Sequence, residues 1–226
     1  MPVDAYVELG AKRVFAGALD WPGWCRRGSD EGSALEALFA YAPRYAGVLK
    51  GSGVRFPAPA RASMIEVVER LTGDATTDFG APSIAPEADA RPIDRPWLAR
   101  QEKILVASWR AFDRAVEGVS GALEKGPRGG GRELEAIVAH VVGAEASYVR
   151  KIGARAPSFE GADAGTARED ERAIVLEALD RALTDGIPER GPRGGAMWSA
   201  PYFVRRAAWH VLDHAWEIED RSSAAG

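Results

Sequence analysis

The chain has 226 residues and a net charge of −4, and its hydrophobic and charged fractions, 46% and 27%, are ordinary for a globular protein of one or two domains. Acidic and basic residues are interspersed, which argues against a nucleic-acid partner. No apolar run approaches the roughly 20 residues of a membrane span. Residues 1–4 lack signal-peptide features, and the single cysteine, Cys25, excludes an intrachain disulfide. A cytoplasmic protein is therefore expected.

The first 80 residues have mixed character. Strands are expected where β-branched, aromatic and leucine residues cluster, at residues 6–9 and 14–19, and residues 64–71 are a further strand or a short helix, with strand preferred. Turn residues occupy positions 20–23, and Ser29 and Asp30 can cap a helix that continues to Tyr45. This pattern predicts a small α+β domain over residues 1–80.

Residues 81–96 are rich in proline and poor in large apolar residues. Four prolines lie in this segment: Pro82, Pro86, Pro92 and Pro96. Proline disfavours both helix interiors and central strands, so the segment is expected to be an extended linker.

Beyond this segment, apolar residues recur at helical spacing in four stretches. The expected helices cover about residues 94–116, 132–153, 166–187 and 199–221. Four amphipathic helices joined by short loops bury their apolar stripes best against one another. The predicted fold class is thus an α+β N-terminal domain followed by an all-α up-and-down four-helix bundle over residues 97–221.

A five-residue sequence, Gly-Pro-Arg-Gly-Gly, occurs twice, at residues 126–130 and 191–195. Each copy precedes one of the helices that carry histidine. Glycine-rich loops are easy connectors, and this is the preferred interpretation. Paired anion binding at one end of the helices is the alternative.

The chain has only three histidines, and all three fall in two of the expected helices. His210 and His214 lie four residues apart, which places both imidazoles on one helix face and allows them to share a metal. His140 is the remaining candidate ligand. At the usual helical rise, His140, His210 and His214 lie about 12, 14 and 20 Å from the starts of their helices. They are therefore close to one level if the two helices are parallel.

Three imidazole ligands predict one divalent metal per chain, zinc or nickel first and iron third. Such a set leaves coordination positions open, as in catalytic rather than structural zinc sites. A metal of this kind lowers the pKa of a bound water or thiol. The alternative is that the histidines are ordinary hydrogen-bonded residues of a packed core.

Two segments resemble the DinB/YfiT-like metalloenzyme superfamily. They are residues 135–145 around His140 and residues 208–217, which hold His210 and His214. The resemblance covers residues 97–221 and implies a four-helix bundle with one ligand on its second helix and a histidine pair on its fourth. His140, His210 and His214 match these three ligands.

The resemblance also implies a class of activity. Members of that superfamily include S-transferases that use low-molecular-weight thiols, and a maleylpyruvate isomerase. We therefore expect a metal-dependent transferase or isomerase that acts on a small electrophile, with mycothiol or a similar thiol as co-substrate. The alternatives are a metal-dependent hydrolase that uses bound water, and a non-enzymatic metal-binding regulatory or stress-response protein.

The N-terminal part resembles the HicB antitoxin-like domain. The shared elements are a strand at residues 14–19, an Asp-x-Pro-Gly turn at residues 20–23 and a helix opened by Asp30. Antitoxins of this type usually add a DNA-binding segment, and the sequence has none. An accessory or dimerising role is expected, so a homodimer is left open beside the small-molecule substrate.

Polar residues near the histidines are candidates for supporting roles, and Glu217 and Glu145 are the catalytic candidates. Glu217 can orient a ligand imidazole or transfer a proton, or it is a solvated acid. Glu145 falls in an apolar stripe and needs a partner, either a ligand imidazole or an arginine. Arg206, one turn before His210, can bind an anionic group of the substrate.

Three aromatic residues crowd the start of the last helix: Trp198, Tyr202 and Trp209. They are expected either to pack in the core or to line the mouth of a substrate pocket, and Tyr202 and Trp209 join Arg206 as candidate binding residues. Asp213 is expected to be a surface or capping acid. Cys25 has no histidine nearby in sequence, and a buried structural thiol is expected.

Overall fold

The computed structural model describes residues 2–125, 131–155, 164–192 and 194–222. The strands are β1 Val3–Leu9, β2 Val14–Ala18, β3 Cys25–Gly28 and β4 Ile65–Thr72. The helices are α1 Glu31–Ala40, α2 Ala42–Leu49, α3 Ala75–Phe79, α4 Arg95–Glu117, α5 Leu134–Val149, α6 Ala164–Thr184 and α7 Ala200–Ser222. The first glycine-rich repeat, residues 126–130, lies outside the described residues.

The four strands form one mixed sheet in the order β3-β2-β1-β4. The pairs β1–β2 and β2–β3 are antiparallel, whereas β1 and β4 are parallel. Between the parallel strands β1 and β4 the chain passes through β2, β3, α1 and α2, which is long enough for the connection that parallel pairing requires. The three strands expected from the sequence are present, and the short strand β3 was not expected.

Both faces of the sheet are covered. On one face, alternate residues of β1 and β2 pack in a core with Leu38 of α1 and Tyr45 of α2. On the other face, Phe15 of β2 makes an edge-to-face contact with Trp209 of α7, with ring centroids 6.0 Å apart. All five residues of β2 are consequently buried.

The helix expected between Asp30 and Tyr45 is two helices. Asp30 caps α1 as expected, because its side chain accepts a hydrogen bond from Ser33 N in a capping box. Pro43 lies in the first turn of α2, where the missing N–H is tolerated but a continuous helix would lose a hydrogen bond. The expected helix is therefore interrupted at Tyr41.

The four long helices expected after residue 93 are present, with ends shifted by a few residues. Asp94 caps α4, as its side chain accepts from Trp97 N. The second helix is shorter than expected: α5 ends at Val149, and residues 150–152 form a 3-10 turn closed by Gly153 at φ 88°.

The predicted fold class is wrong, because these helices do not form a simple all-α bundle after a separate domain. The chain has an α+β fold, in which the sheet is followed by helices that share its core. Ile104 of α4 and Leu212 and Trp216 of α7 belong to the same buried cluster as Trp24 and Tyr45. The N-terminal α+β part of the expectation is confirmed.

The physical reason lies in α7, most of whose residues are buried. Phe203, Val204 and Val211 pack with α4, α5 and α6. Leu212 meets Gly23 of the turn before β3, where a Cβ would lie 2.8 Å from Leu212 Cδ1. A helix with two buried faces cannot be the outer wall of an independent bundle.

A buried ion pair fastens α7 to the sheet. Arg205 donates from Nε and Nη2 to the Asp89 carboxylate at 2.7 and 2.6 Å, and from Nη1 and Nη2 to the carbonyl oxygens of Ala18 and Leu19, each at 2.9 Å. Asp89 lies in a 3-10 turn of the proline-rich segment. These four hydrogen bonds thus join α7, the proline-rich segment and the end of β2, which are distant from one another in sequence.

The proline-rich segment, residues 81–96, is held to β1 by a second buried carboxylate. Glu8 accepts hydrogen bonds from the Thr77 hydroxyl and from the backbone N–H groups of Ser83 and Ile84. Burial raises the pKa of Glu8, and these donors oppose the rise. The division of the chain at this segment stays a prediction, although the segment is tied to both parts. No helix among the described residues is long and apolar enough to cross a membrane.

Asp89→Asn should destabilise the fold by about 3 kcal/mol, because it leaves the Arg205 charge buried without a counter-charge. Urea unfolding followed by circular dichroism measures the change. Glu31→Gln is the control, since Glu31 pairs with Arg70 at the surface and such pairs contribute about 0–1 kcal/mol. Equal losses in the two variants would show that the buried pair has no special weight.

Candidate metal centre

Helices α5 and α7 bring the three histidines together. The Nε2 atoms of His140 and His210 lie 3.1 Å apart. One nitrogen from each of His140, His210 and His214 lies within 4.8 Å of the others, close enough to bind a single metal ion. The helical rise therefore predicted correctly that the three histidines lie at one level along the two helices.

The distances suit a metal. Two nitrogens bound to one tetrahedral zinc at about 2.0–2.1 Å lie roughly 3.3 Å apart, near the observed His140–His210 spacing. His210 is buried, and its Nδ1 has no hydrogen-bond partner among the residues that the structure describes. Three imidazoles form a donor set that suits zinc, nickel, copper and iron.

The electrostatics favour neutral rings. Burial, with the neighbouring His214 and His140 rings and Arg206, lowers the pKa of His210 well below its ordinary value. Burial and His214 also lower the pKa of His140. Neutral imidazoles have the lone pairs that a metal requires, so no proton has to be displaced from the His140 or His210 ring at neutral pH.

Glu217 orients His214. Its Oε2 lies 2.8 Å from His214 Nδ1, and its Oε1 accepts from Arg221 at 3.1 Å. The hydrogen bond from His214 lowers the pKa of Glu217, which keeps the carboxylate ionised. Nδ1 of His214 therefore carries the proton, and Nε2 is left for a metal. This is the carboxylate–histidine arrangement common around metal sites.

Arg206 lies on the wall of the same site. Its guanidinium sits 5.6 Å from the Tyr148 ring centroid and 4.9 Å from that of Trp209. Nη1 is buried and has no hydrogen-bond partner among the described residues. A buried donor without an acceptor is costly, and an anion is the acceptor that a guanidinium pairs with most strongly.

Tyr148 connects Arg206 with the histidines and was not singled out from the sequence. Its ring centroid lies 5.8 Å from that of His210 and 5.2 Å from that of Trp198. The sequence held a signal, since Tyr148 follows His140 by two helical turns and shares its side of α5.

Tyr202 and Trp209, the two aromatic residues expected to bind substrate, have structural partners. Tyr202 contacts Trp198 with ring centroids 5.0 Å apart, and its hydroxyl donates to the Ser83 carbonyl at 2.6 Å. Trp209 packs on Phe15 of the sheet and beneath Arg206. Their roles as binding residues remain predictions. Asp213 pairs with Arg26 at 2.9 Å and is partly exposed, as a surface acid would be.

The hydrogen-bond partner of Glu145 is neither a ligand imidazole nor an arginine, the two partners expected from the sequence. The Trp109 indole donates to its Oε1 at 2.7 Å, and the group of close ligand atoms does not include it. Burial raises its pKa to about 7. Nearby Glu171 of α6, which sequence reasoning missed, is 1% exposed, and neither of its carboxylate oxygens has a partner in the described part of the chain. Burial and Glu145 raise the pKa of Glu171 to about 9.

Cys25 is buried, as expected, and is not poised for chemistry. The Tyr6 hydroxyl lies 3.8 Å from its sulfur. Burial raises the pKa of the thiol to about 12, so the thiolate is scarce at neutral pH.

The fold and the site define a class no finer than an α+β protein with a three-histidine candidate metal centre. Comparison of the chain with models of known protein families, with curated proteins and with solved structures found no match in any of the three.

Each histidine should be needed for metal binding. Calorimetric titration of protein purified without an affinity tag should show one zinc or nickel ion per chain. His140→Ala, His210→Ala and His214→Ala should each weaken binding by more than about 100-fold, because losing even an outer carboxylate costs 10–100-fold. Glu217→Gln should fall in that lower range. Glu135→Ala, an exposed change on α5, is the control. Full metal in all three histidine variants would place any site elsewhere.

Glu171→Gln should remove a pH dependence of stability. The folded protein holds the Glu171 proton more tightly than the unfolded chain, whose pKa is near the ordinary 4.5. Its contribution is complete below that value and is lost as the pH rises toward 9, by up to about 1.4 kcal/mol per pH unit. Urea unfolding between pH 6 and pH 8 should show this slope in wild type and in the exposed-site control Glu177→Gln, and a flatter curve in Glu171→Gln. Parallel curves would refute the assignment.

Proposed function

We propose that the protein is a metal-dependent transferase or isomerase that acts on a small electrophile bearing a carboxylate. A low-molecular-weight thiol such as mycothiol is the proposed co-substrate. The observation that supports the proposal most is the three-histidine group beside a buried guanidinium that lacks an anion.

The metal in this proposal is zinc or nickel, with iron as the third choice. When bound, a divalent cation with three neutral imidazole ligands offers open positions for a thiol or a water and lowers its pKa. His140, His210 and His214 would hold it. The nearby Arg206 charge adds to the positive potential of the site, which favours anionic ligands.

Arg206 would bind the carboxylate of the electrophile. Its unpartnered Nη1 gains a charge-assisted hydrogen bond only when an anion enters. Because Arg206 lies one turn before His210 on α7, a carboxylate bound there keeps the rest of a small molecule beside the histidines. This fixes the substrate at one end and leaves its reactive carbon free.

Tyr148 and Trp198 would form the apolar side of the pocket. The Tyr148 ring contacts His210 and lies against Arg206 as well, so it covers the path between anion site and ligand site. An apolar wall excludes water, which strengthens the pairing of Arg206 with a carboxylate. It also protects a thiol adduct from competing hydrolysis.

Glu217 would act through His214. By accepting from Nδ1 it fixes the ring's orientation and tautomer, and Arg221 holds Glu217 in turn. Glu217 is therefore assigned as a positioning residue. Glu145, a catalytic candidate from the sequence, is given no step here, because its hydrogen-bond partner is Trp109.

The experiment uses cobalt-substituted full-length protein. A thiol that ligates cobalt adds sulfur-to-metal charge-transfer absorption, so mycothiol, glutathione, bacillithiol and cysteine are added in turn. We expect at least one to produce the new band. A spectrum that responds only to pH, as bound water ionises, would favour a hydrolase, and a spectrum that responds to neither would favour a non-enzymatic metal protein.

Arg206→Met should raise the carboxylate concentration needed to perturb the cobalt spectrum by about tenfold or more, because a charge-assisted pair is lost. Metal content should be unchanged. Arg150→Met, at an exposed position beyond α5, is the control and should behave as wild type. A carboxylate response identical in the two variants would remove Arg206 from the substrate site.

A further inference from the structure

A second cleft, of about 490 Å³, lies where the sheet meets α4 and α7. This volume is in the range of small-molecule sites. Its walls come from the start of β1, the turn after β2, the proline-rich segment and the first turns of α4 and α7, and none of the three histidines lines it. We name it the Gln101 cleft.

Gln101 gives the cleft an unmet hydrogen-bonding need. The residue is 3% exposed, and its Oε1 is buried with no hydrogen-bond partner among the described residues. A buried amide oxygen without a donor costs about 1–3 kcal/mol. A ligand that presents an N–H or O–H group to this oxygen would recover that loss.

The charges of the cleft fall into two groups. Arg205 and Asp89, at its floor, neutralise each other, and four of the five Arg205 N–H groups donate to Asp89 and to the carbonyl oxygens of Ala18 and Leu19. Arg91, Arg100, Asp4 and Asp20 also line the cleft, and no ion pair joins any of these four to another described residue. Two cations and two carboxylates thus remain for a ligand that carries both signs.

Aromatic side chains supply an apolar wall. Trp21 and Trp97 line the cleft, and the Arg100 guanidinium lies over the Trp21 ring at 4.4 Å from its centroid. Stacking holds the guanidinium in place while leaving its N–H groups free for an anion.

We propose that the Gln101 cleft binds a small zwitterion, a free α-amino acid with an apolar side chain. Arg100 and Arg91 receive the carboxylate, Asp4 or Asp20 receives the ammonium group, and Gln101 Oε1 accepts an N–H. Trp21 and Trp97 contact the side chain. This site is separate from the histidine centre and does not depend on the proposed function.

Equilibrium dialysis of the full chain against each standard α-amino acid, followed by calorimetry on the tightest, tests the proposal. We expect one molecule per chain with a Kd below about 1 mM. The N-acetyl and the carboxamide derivatives of that amino acid should each bind about tenfold more weakly or worse, because each lacks one charge. A chelator should leave the Kd unchanged.

Variants make the test specific. Gln101→Met removes the unsatisfied oxygen and should preserve the fold, yet weaken binding about tenfold. Arg100→Met should weaken it similarly, and Arg110→Met, exposed on the same helix, should not. The proposal is overturned if no amino acid binds below about 1 mM, if the neutralised derivatives bind equally well, or if both cleft variants bind as wild type.

Discussion

The burial of the Arg205 charge is the constraint on which the arrangement of α7 depends. A guanidinium in the interior needs acceptors on all sides, and it finds them in Asp89 and in two carbonyls at the end of β2. These contacts set the rotation of α7 about its axis. Since successive helical residues are about 100° apart, fixing Arg205 toward the sheet turns Arg206, His210 and His214 toward α5. Contacts on the sheet side of α7 therefore position the candidate metal centre, which lies on the opposite side of this helix.

The two faces of α7 differ in how completely their buried polar groups are paired. On the sheet side, the Arg205 charge is matched by Asp89 and by two carbonyl oxygens. On the α5 side, the matching is incomplete: among the described residues, the His210 Nδ1 and an Arg206 nitrogen have no hydrogen-bond partner. Buried polar atoms without partners reduce stability, and both atoms belong to the wall of the candidate metal centre. The Glu217–Arg221 pair, by contrast, is complete and holds His214 firmly.

Local sequence patterns predicted what local physics controls. Helical periodicity and caps identified the four long helices, and the helical rise placed three histidines at one level, as found. The fold class failed because periodicity reveals a buried stripe only when the opposite face is polar. On α7, Arg205 and Trp209 occupy a face that reads as exposed or ambiguous, yet the sheet covers it. Partners such as Asp89 for Arg205, or Trp109 for Glu145, are distant in sequence and have no local signature.

The position of α7 in the chain has a consequence for biogenesis. It follows every element that it contacts, so those elements leave the ribosome before their common partner exists. Until then the Phe15 face of the sheet and the inner side of α4 lack cover and are open to aggregation or chaperone binding. Two of the three histidines belong to α7, so the candidate metal centre cannot form before this helix has been synthesised.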